Sequence, residues 1–272
     1  MMALALFSSA RAQSFADRKG MEFLGNGKVQ TILSSDMVML DNQMRYKLAN
    51  ILVPPYEDRE AIAALQKELV GKSVAIYAYA PATDQSPAAD KFGVPYGQIV
   101  RQDDGVWAQK DLVSKGLARV YMSGVEDGAA AVPAAVDDVL AALKRAEKLA
   151  RHEKIGLWQG SAHGIKSPYE AGAYTGSYQI VQGQVASVSS SKQYVFLNMT
   201  DDWQTGFSVL MPLQFPMWYR KGTPEFTPDY DVTKWKGRIV RVRGLIGSMA
   251  DGKPIIKVTD KEQVDVIPQG AN

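Results

Sequence analysis

The sequence predicts an α+β protein, mainly β, built as two small five-stranded barrels in tandem, the first with helices packed outside it. Three observations carry that prediction. The chain has 272 residues, and at roughly 150 residues per domain such a length favours two domains over one. Short alternating apolar runs bounded by Ser, Asp, Asn and Gly recur in both halves, the period of half-buried strands. Helical spacing is confined to segments before residue 155. The composition, 46% hydrophobic and 22% charged, supplies enough apolar residues for a core in each half. A net charge of +2, with acids interleaved among the bases, rules out a chain-wide basic field for nucleic acid. Any basic patch is local.

In the first half, GKVQTIL, MVML and QMRYKLANILV alternate and are separated by Ser34-Ser35-Asp36 and Asp41-Asn42. Those side chains bond the local backbone and turn the chain, so a three-stranded meander is expected. Pro54-Pro55 stops it. Residues 57–70 place Ile62, Leu65 and Leu69 at helical spacing before Gly71. SVAIYAYA then alternates as a strand, followed by the polar loop PATDQSPAADKFGVP and a strand over 96–100 that ends at Asp103-Asp104-Gly105. A short helix over 107–115 closes at Gly116, and LARVYM is extended. Residues 134–154 form a long amphipathic helix with Val136, Val139, Leu140, Leu143, Ala146 and Leu149 on one face, and IGLW closes the unit. Five strands closing into a small barrel with helices outside is the OB-type arrangement.

Residues 1–20 read as a signal-peptide remnant and N-terminal arm. A short apolar run leads to Ala10-Arg11-Ala12, whose small residues suit cleavage after Ala12, although the positive n-region is missing. The other reading of this segment is a frayed N-terminus. The run is too short for a membrane span, which takes about 20 residues. With no cysteine to mispair, the expected location is periplasmic or secreted.

The first domain spans 21–160, a linker 161–176, and a second OB-like domain 177–269. In the latter YQIVQGQVASVSSS, KQYVFLNMTDD and TGFSVLMP alternate as strands. A Pro- and aromatic-rich insertion follows, and then KGRIVRVRGLIGS and KPIIKVTDKEQVDVI, with Asp251-Gly252 as a hairpin turn. Arg241 and Arg243 share one face of their strand and Arg238 lies on the other. Beside Trp235, Trp218 and Tyr219, these arginines could hold a single-stranded nucleic acid by stacking and phosphate contacts. The competing reading puts the aromatics in the core and the arginines on its solvated edge.

The phrases GKVQTILSSDMVML, KLANILVPP, DKFGVPYGQIV, WAQKDLVSKGLARVY and AEKLARHEKIGLW together resemble the staphylococcal nuclease (thermonuclease) family over about residues 21–159. The resemblance implies phosphodiester hydrolysis with a calcium ion held by carboxylates, a glutamate acting on water, and two arginines gripping the phosphate. Carried over position by position, the first metal aspartate falls on Asp36. The second falls on Leu52, the glutamate on Pro55, the first arginine on Lys47 and the second arginine on Val94. Leucine cannot ligate calcium, valine cannot stabilise an oxyanion, and lysine lacks the guanidinium fork.

The expected function is therefore an exported, nuclease-like binding protein without catalysis, its partner a single-stranded nucleic acid or another protein, and with no cofactor. A different class of function, a calcium-dependent nuclease, would need a site rebuilt from Asp36 and Glu57. A third is a structural scaffold that binds a protein through its helices. The two histidines, His152 and His163, have no cysteine or neighbouring histidine with which to form a zinc site or a nucleophilic triad.

Overall fold

The computed structural model describes residues 21–79, 88–122, 137–212, 232–258 and 261–268. The signal-like residues 1–20, part of the polar loop, Val136, Trp218 and Tyr219 lie outside them. The protein is α+β with strands predominating, and its chain divides into two units, Met1–Ala162 and His163–Asn272.

In the first unit the alternating runs pair as the expected meander: β1 (Met21–Ser34), β2 (Met37–Leu40) and β3 (Arg45–Leu48), antiparallel in succession. β1 also pairs antiparallel with β5 (Ser73–Tyr79), β5 with β6 (Tyr96–Arg101), and β6 runs parallel to β3. The five strands thereby close in a ring, β1-β2-β3-β6-β5. One strand serves two neighbours because bulges re-aim it: the register of β1 shifts between Phe23 and Gly25 on one side and between Val29 and Thr31 on the other. Gly27 makes the close approach possible, since a Cβ there would lie 2.6 Å from Leu40 Cδ1.

The apolar alternation points Val29, Val38, Leu40, Leu48, Val74 and Ile99 into the core, each burial contributing about 1.5–3 kcal/mol before entropy is counted. Helices α1 (Asp58–Leu69), α2 (Ala108–Ser114) and α3 (Asp137–His152) add Leu65, Leu69, Leu112, Val139 and Leu143 to the same cluster. One assignment on α3 is corrected: Leu149 is 62% exposed and Ala150 is buried in its place. The buried stripe runs 139, 143, 146, 150 at steps of four, three and four, which leaves position 149 on its flank. A second correction concerns the run QMRYKLANILV, which is two strands. It breaks at Asn50, whose φ is 64°, and β4 (Ile51–Leu52) leaves the ring to pair with β7 (Arg119–Val120).

Among the described residues the second unit has seven strands where the sequence pattern suggests five. They are β8 (Tyr178–Gln184), β9 (Ser187–Ser190), β10 (Tyr194–Asn198), β11 (Ser208–Pro212), β12 (Ile239–Ser248), β13 (Pro254–Lys257) and β14 (Val264–Ile267). The extra two arise by splitting. The expected strand over 178–190 is interrupted at Val185 and Ala186, and the last expected strand divides into β13 and β14. The pairing order is β14-β12-β13-β11-β10-β9, with β8 also on β12. The expected linker belongs in part to this unit: Lys166 N donates to Ile180 O at 2.7 Å, Gln182 N donates to Lys166 O at 2.9 Å, and Ala171 is buried in the core beside Val181, Phe207 and Val240.

Candidate functional site

The turn between β1 and β2 and the middle of β3 meet because of strand register. Met37 is the partner of Lys47, so the residue before Met37 comes within reach of the lysine. Asp36 is fixed there by its neighbours: Ser34 Oγ donates to Asp36 Oδ1 at 2.7 Å, and Leu48 N donates to Asp36 O at 2.7 Å. Lys47 Nζ stands 3.6 Å from Asp36 Oδ2, with both side chains partly exposed. The same ammonium lies 5.8 Å from the centroid of the buried Tyr96 ring, and Lys47 N donates to Pro95 O. A carboxylate that the family resemblance assigns to a metal is here paired with a fixed cation.

The remaining carried-over positions offer little to a metal or a phosphate. Leu52 is half-buried on β4, and Pro55 opens a single 3-10 turn, Pro55–Glu57, whose closing hydrogen bond runs from Glu57 N to Pro54 O. Glu57 itself is half-buried there and, among the described residues, shares no partner with Asp36. Val94 ends a loop folded on Asp90, whose Oδ1 accepts from Phe92 N at 2.9 Å and from Val94 N at 3.0 Å. Among the described residues no three His, Asp or Glu side chains gather as a metal site would need. Calcium takes six to eight oxygen ligands, and one carboxylate already paired with lysine does not fit that demand.

Three residues beyond Lys47 lies a feature that sequence reasoning missed. Asn50 is buried in the left-handed region, and its Oδ1 accepts from Gln98 Nε2 at 2.9 Å and from the Tyr79 hydroxyl. Gln98 Oε1 accepts from Trp107 Nε1 at 2.8 Å. Gln109 Nε2 donates to Gly97 O at 2.6 Å while its Oε1 accepts from Ile99 N. This satisfied network fixes the backbone where the chain leaves the ring. Its signal in the sequence was an amide inside an apolar run.

No family model and no curated protein matches the chain.

In the second unit the residues proposed for nucleic acid are separated. Trp235 is 2% exposed and belongs to the core, so its ring has no face to offer a base. Arg243 is buried as well, and its carbonyl accepts from Gln263 Nε2. Arg241 is half-buried, donates from Nε to Gln182 Oε1 at 2.8 Å, and is the cross-strand partner of Asp265. Arg238 is exposed just before β12. Strand alternation puts Arg241 and Arg243 on one face, but Arg243 is buried there and Arg241 is held by Gln182 of the adjoining strand.

Proposed function

We propose that the protein is a noncatalytic binding protein: a staphylococcal nuclease-like barrel that no longer hydrolyses phosphodiesters, followed by a second OB-type barrel. It works outside the cytoplasm on single-stranded nucleic acid or a protein partner. The OB-type reading is supported in the first unit by the closed five-strand ring with helices outside it. In the second it is supported by continuity: pairing leads from β9 through β10, β11, β13 and β12 to β8, and β8 runs into β9 through two residues. One bent strand can therefore serve both ends of the path.

The observation that carries the loss of chemistry is the ion pair between Lys47 and Asp36. Lysine neutralises the carboxylate without supplying a Lewis acid, a base or the bidentate grip of arginine. Each missing component is typically worth a factor of about 10² or more, and because they act as one unit the first losses already bring the rate to background. Purified protein should leave single-stranded DNA and RNA intact with calcium and with chelator alike. Calcium-dependent cleavage that disappears in both Asp36→Ala and Glu57→Ala would establish the rebuilt nuclease instead.

Export rests on Ala10-Arg11-Ala12. N-terminal sequencing of protein from its native host should read from Gln13. An intact Met1 on cytoplasmic protein would contradict this location.

A further inference from the structure

The sheet of the second unit has an outward face whose chemistry differs from that of the arginine-bearing strand. On β10 Val195 and Leu197 enter the core, so Tyr194, Phe196 and Asn198 point the other way. Phe196 is the partner of Ser189 on β9 and of Leu210 on β11, and Leu210 is the partner of Lys257 on β13. The Tyr194 and Phe196 ring centroids are 6.5 Å apart, edge to face, and Lys257 Nζ lies 5.6 Å from the Tyr194 centroid. None of β9, β10, β11 and β13 contains an Asp or Glu.

At the end of this row is a cavity of about 400 Å³ lined by Phe196, Asn198, Trp203 and Lys253 among others, with one carboxylate, Asp251, whose Oδ1 accepts from Lys253 N at 3.1 Å. Trp203 is 61% exposed, yet its turn is fixed. Asp202 Oδ1 accepts from Gln204 N and Thr205 N, and Gly206 N donates to Asp202 O. A Cβ on Gly206 would lie 1.7 Å from Thr200 Oγ1, so the turn depends on that glycine. An exposed ring on a rigid turn is a preorganised stacking surface.

Lys253 is only 6% exposed. Its ammonium donates to Asn198 Oδ1 at 3.3 Å and to Trp203 O, and among the described residues no carboxylate comes within ion-pair distance of it. Asn198 is itself held by Ser187 and Ser208, so the ammonium is fixed in place. An ammonium has three protons and these acceptors take two. Burial also lowers the Lys253 pKa below the ordinary lysine value, as desolvation of a charge should.

We propose that this face binds single-stranded nucleic acid. One base enters the cavity between Trp203 and Phe196, and a ring carbonyl on it accepts a hydrogen bond from the remaining Lys253 N–H. The adjoining nucleotide lies along Tyr194 with its phosphate toward Lys257. Stacking rings beside lysines, on strands without carboxylates, is the combination that holds a single strand without reading its sequence. The carbonyl contact adds a preference for bases that carry one. The proposal rests on the noncatalytic reading above and names the ligand and the surface.

The test is fluorescence anisotropy of the full chain with labelled oligothymidylate and oligoadenylate, each about 12 nucleotides long, within the span one such barrel covers. Oligothymidylate should bind more tightly, because adenine has no ring carbonyl, and affinity should fall as salt rises. Trp203→Ala should weaken binding by about 5- to 150-fold, and Lys257→Ala should make the salt dependence shallower by about one unit of slope. Both changes are on the surface, and unchanged melting would show that the fold is kept. Lys236→Ala, at an exposed lysine on a different loop, should have no comparable effect. Binding that Trp203→Ala and Lys257→Ala leave unchanged would overturn the assignment of this face. No binding to either oligonucleotide at low salt would overturn the ligand while leaving the noncatalytic reading intact. Cleavage of the probe would overturn that reading.

Discussion

Asn50 occupies the left-handed region at φ 64° while its side chain satisfies Gln98 and Tyr79 in the core. The two roles can be separated by substitution. Alanine loses the hydrogen bonds and keeps the backbone strain, whereas glycine loses the same bonds and relieves the strain. An unsatisfied buried group costs about 1–3 kcal/mol, and left-handed backbone costs a β-carbon about 1–2 kcal/mol. Asn50→Ala should therefore destabilise by about 1–3 kcal/mol in chemical denaturation, and Asn50→Gly by about 1–2 kcal/mol less than Asn50→Ala. Equal losses would show that strain contributes nothing there. At this scale the sequence was only partly legible. Asp36 and Lys47 were singled out in the sequence, but their ion pair depends on the register of two strands. Trp235 was ambiguous because an aromatic side chain carries the same pattern whether it fills a core or faces a ligand.

Among the elements, the junction after α2 is tightly constrained. Gly116 has φ 64° and Gly156 has φ 56°. A Cβ on Gly116 would sit 2.2 Å from Ile155 O, and one on Gly156 would sit 2.4 Å from Gly116 O. Leu157 N donates to Gly116 O at 2.9 Å, locking the two turns together. Gly116→Ala and Gly156→Ala should each lower stability by more than about 2 kcal/mol, because steric overlap with backbone adds to left-handed strain. Denaturant midpoints compared with a surface control such as Gly160→Ala, where a Cβ meets nothing within 4 Å, check this. Gly116 was visible in the sequence as a stop, and so were the meander and the three helices. The split strands were not, since hydrophobic alternation continues through Asn50 and through 185–186 without recording a change of partner. The expected apolar position at Leu149 failed for a related reason: one residue of helical phase separates the buried stripe from its exposed flank.

For the whole molecule, the first unit is a closed five-strand ring whose β1–β2 turn carries a partly exposed ion pair, Asp36 with Lys47. The strands and helices of the first unit were legible because a turn former followed by a helix or strand period fixes local structure. Function was less legible, since a leucine at position 52 says what the resemblance would need there but not what stands nearby. Lys47 lies between Asp36 and the Tyr96 ring. A ligand that binds only the folded state raises the melting temperature as its concentration exceeds Kd. The most direct measurement is therefore thermal unfolding of the purified protein across a calcium titration into the millimolar range, beside Asp36→Ala. The account expects the same melting temperature with calcium as with chelator, in both proteins. A calcium-dependent rise in the unaltered protein that is abolished in Asp36→Ala would contradict it.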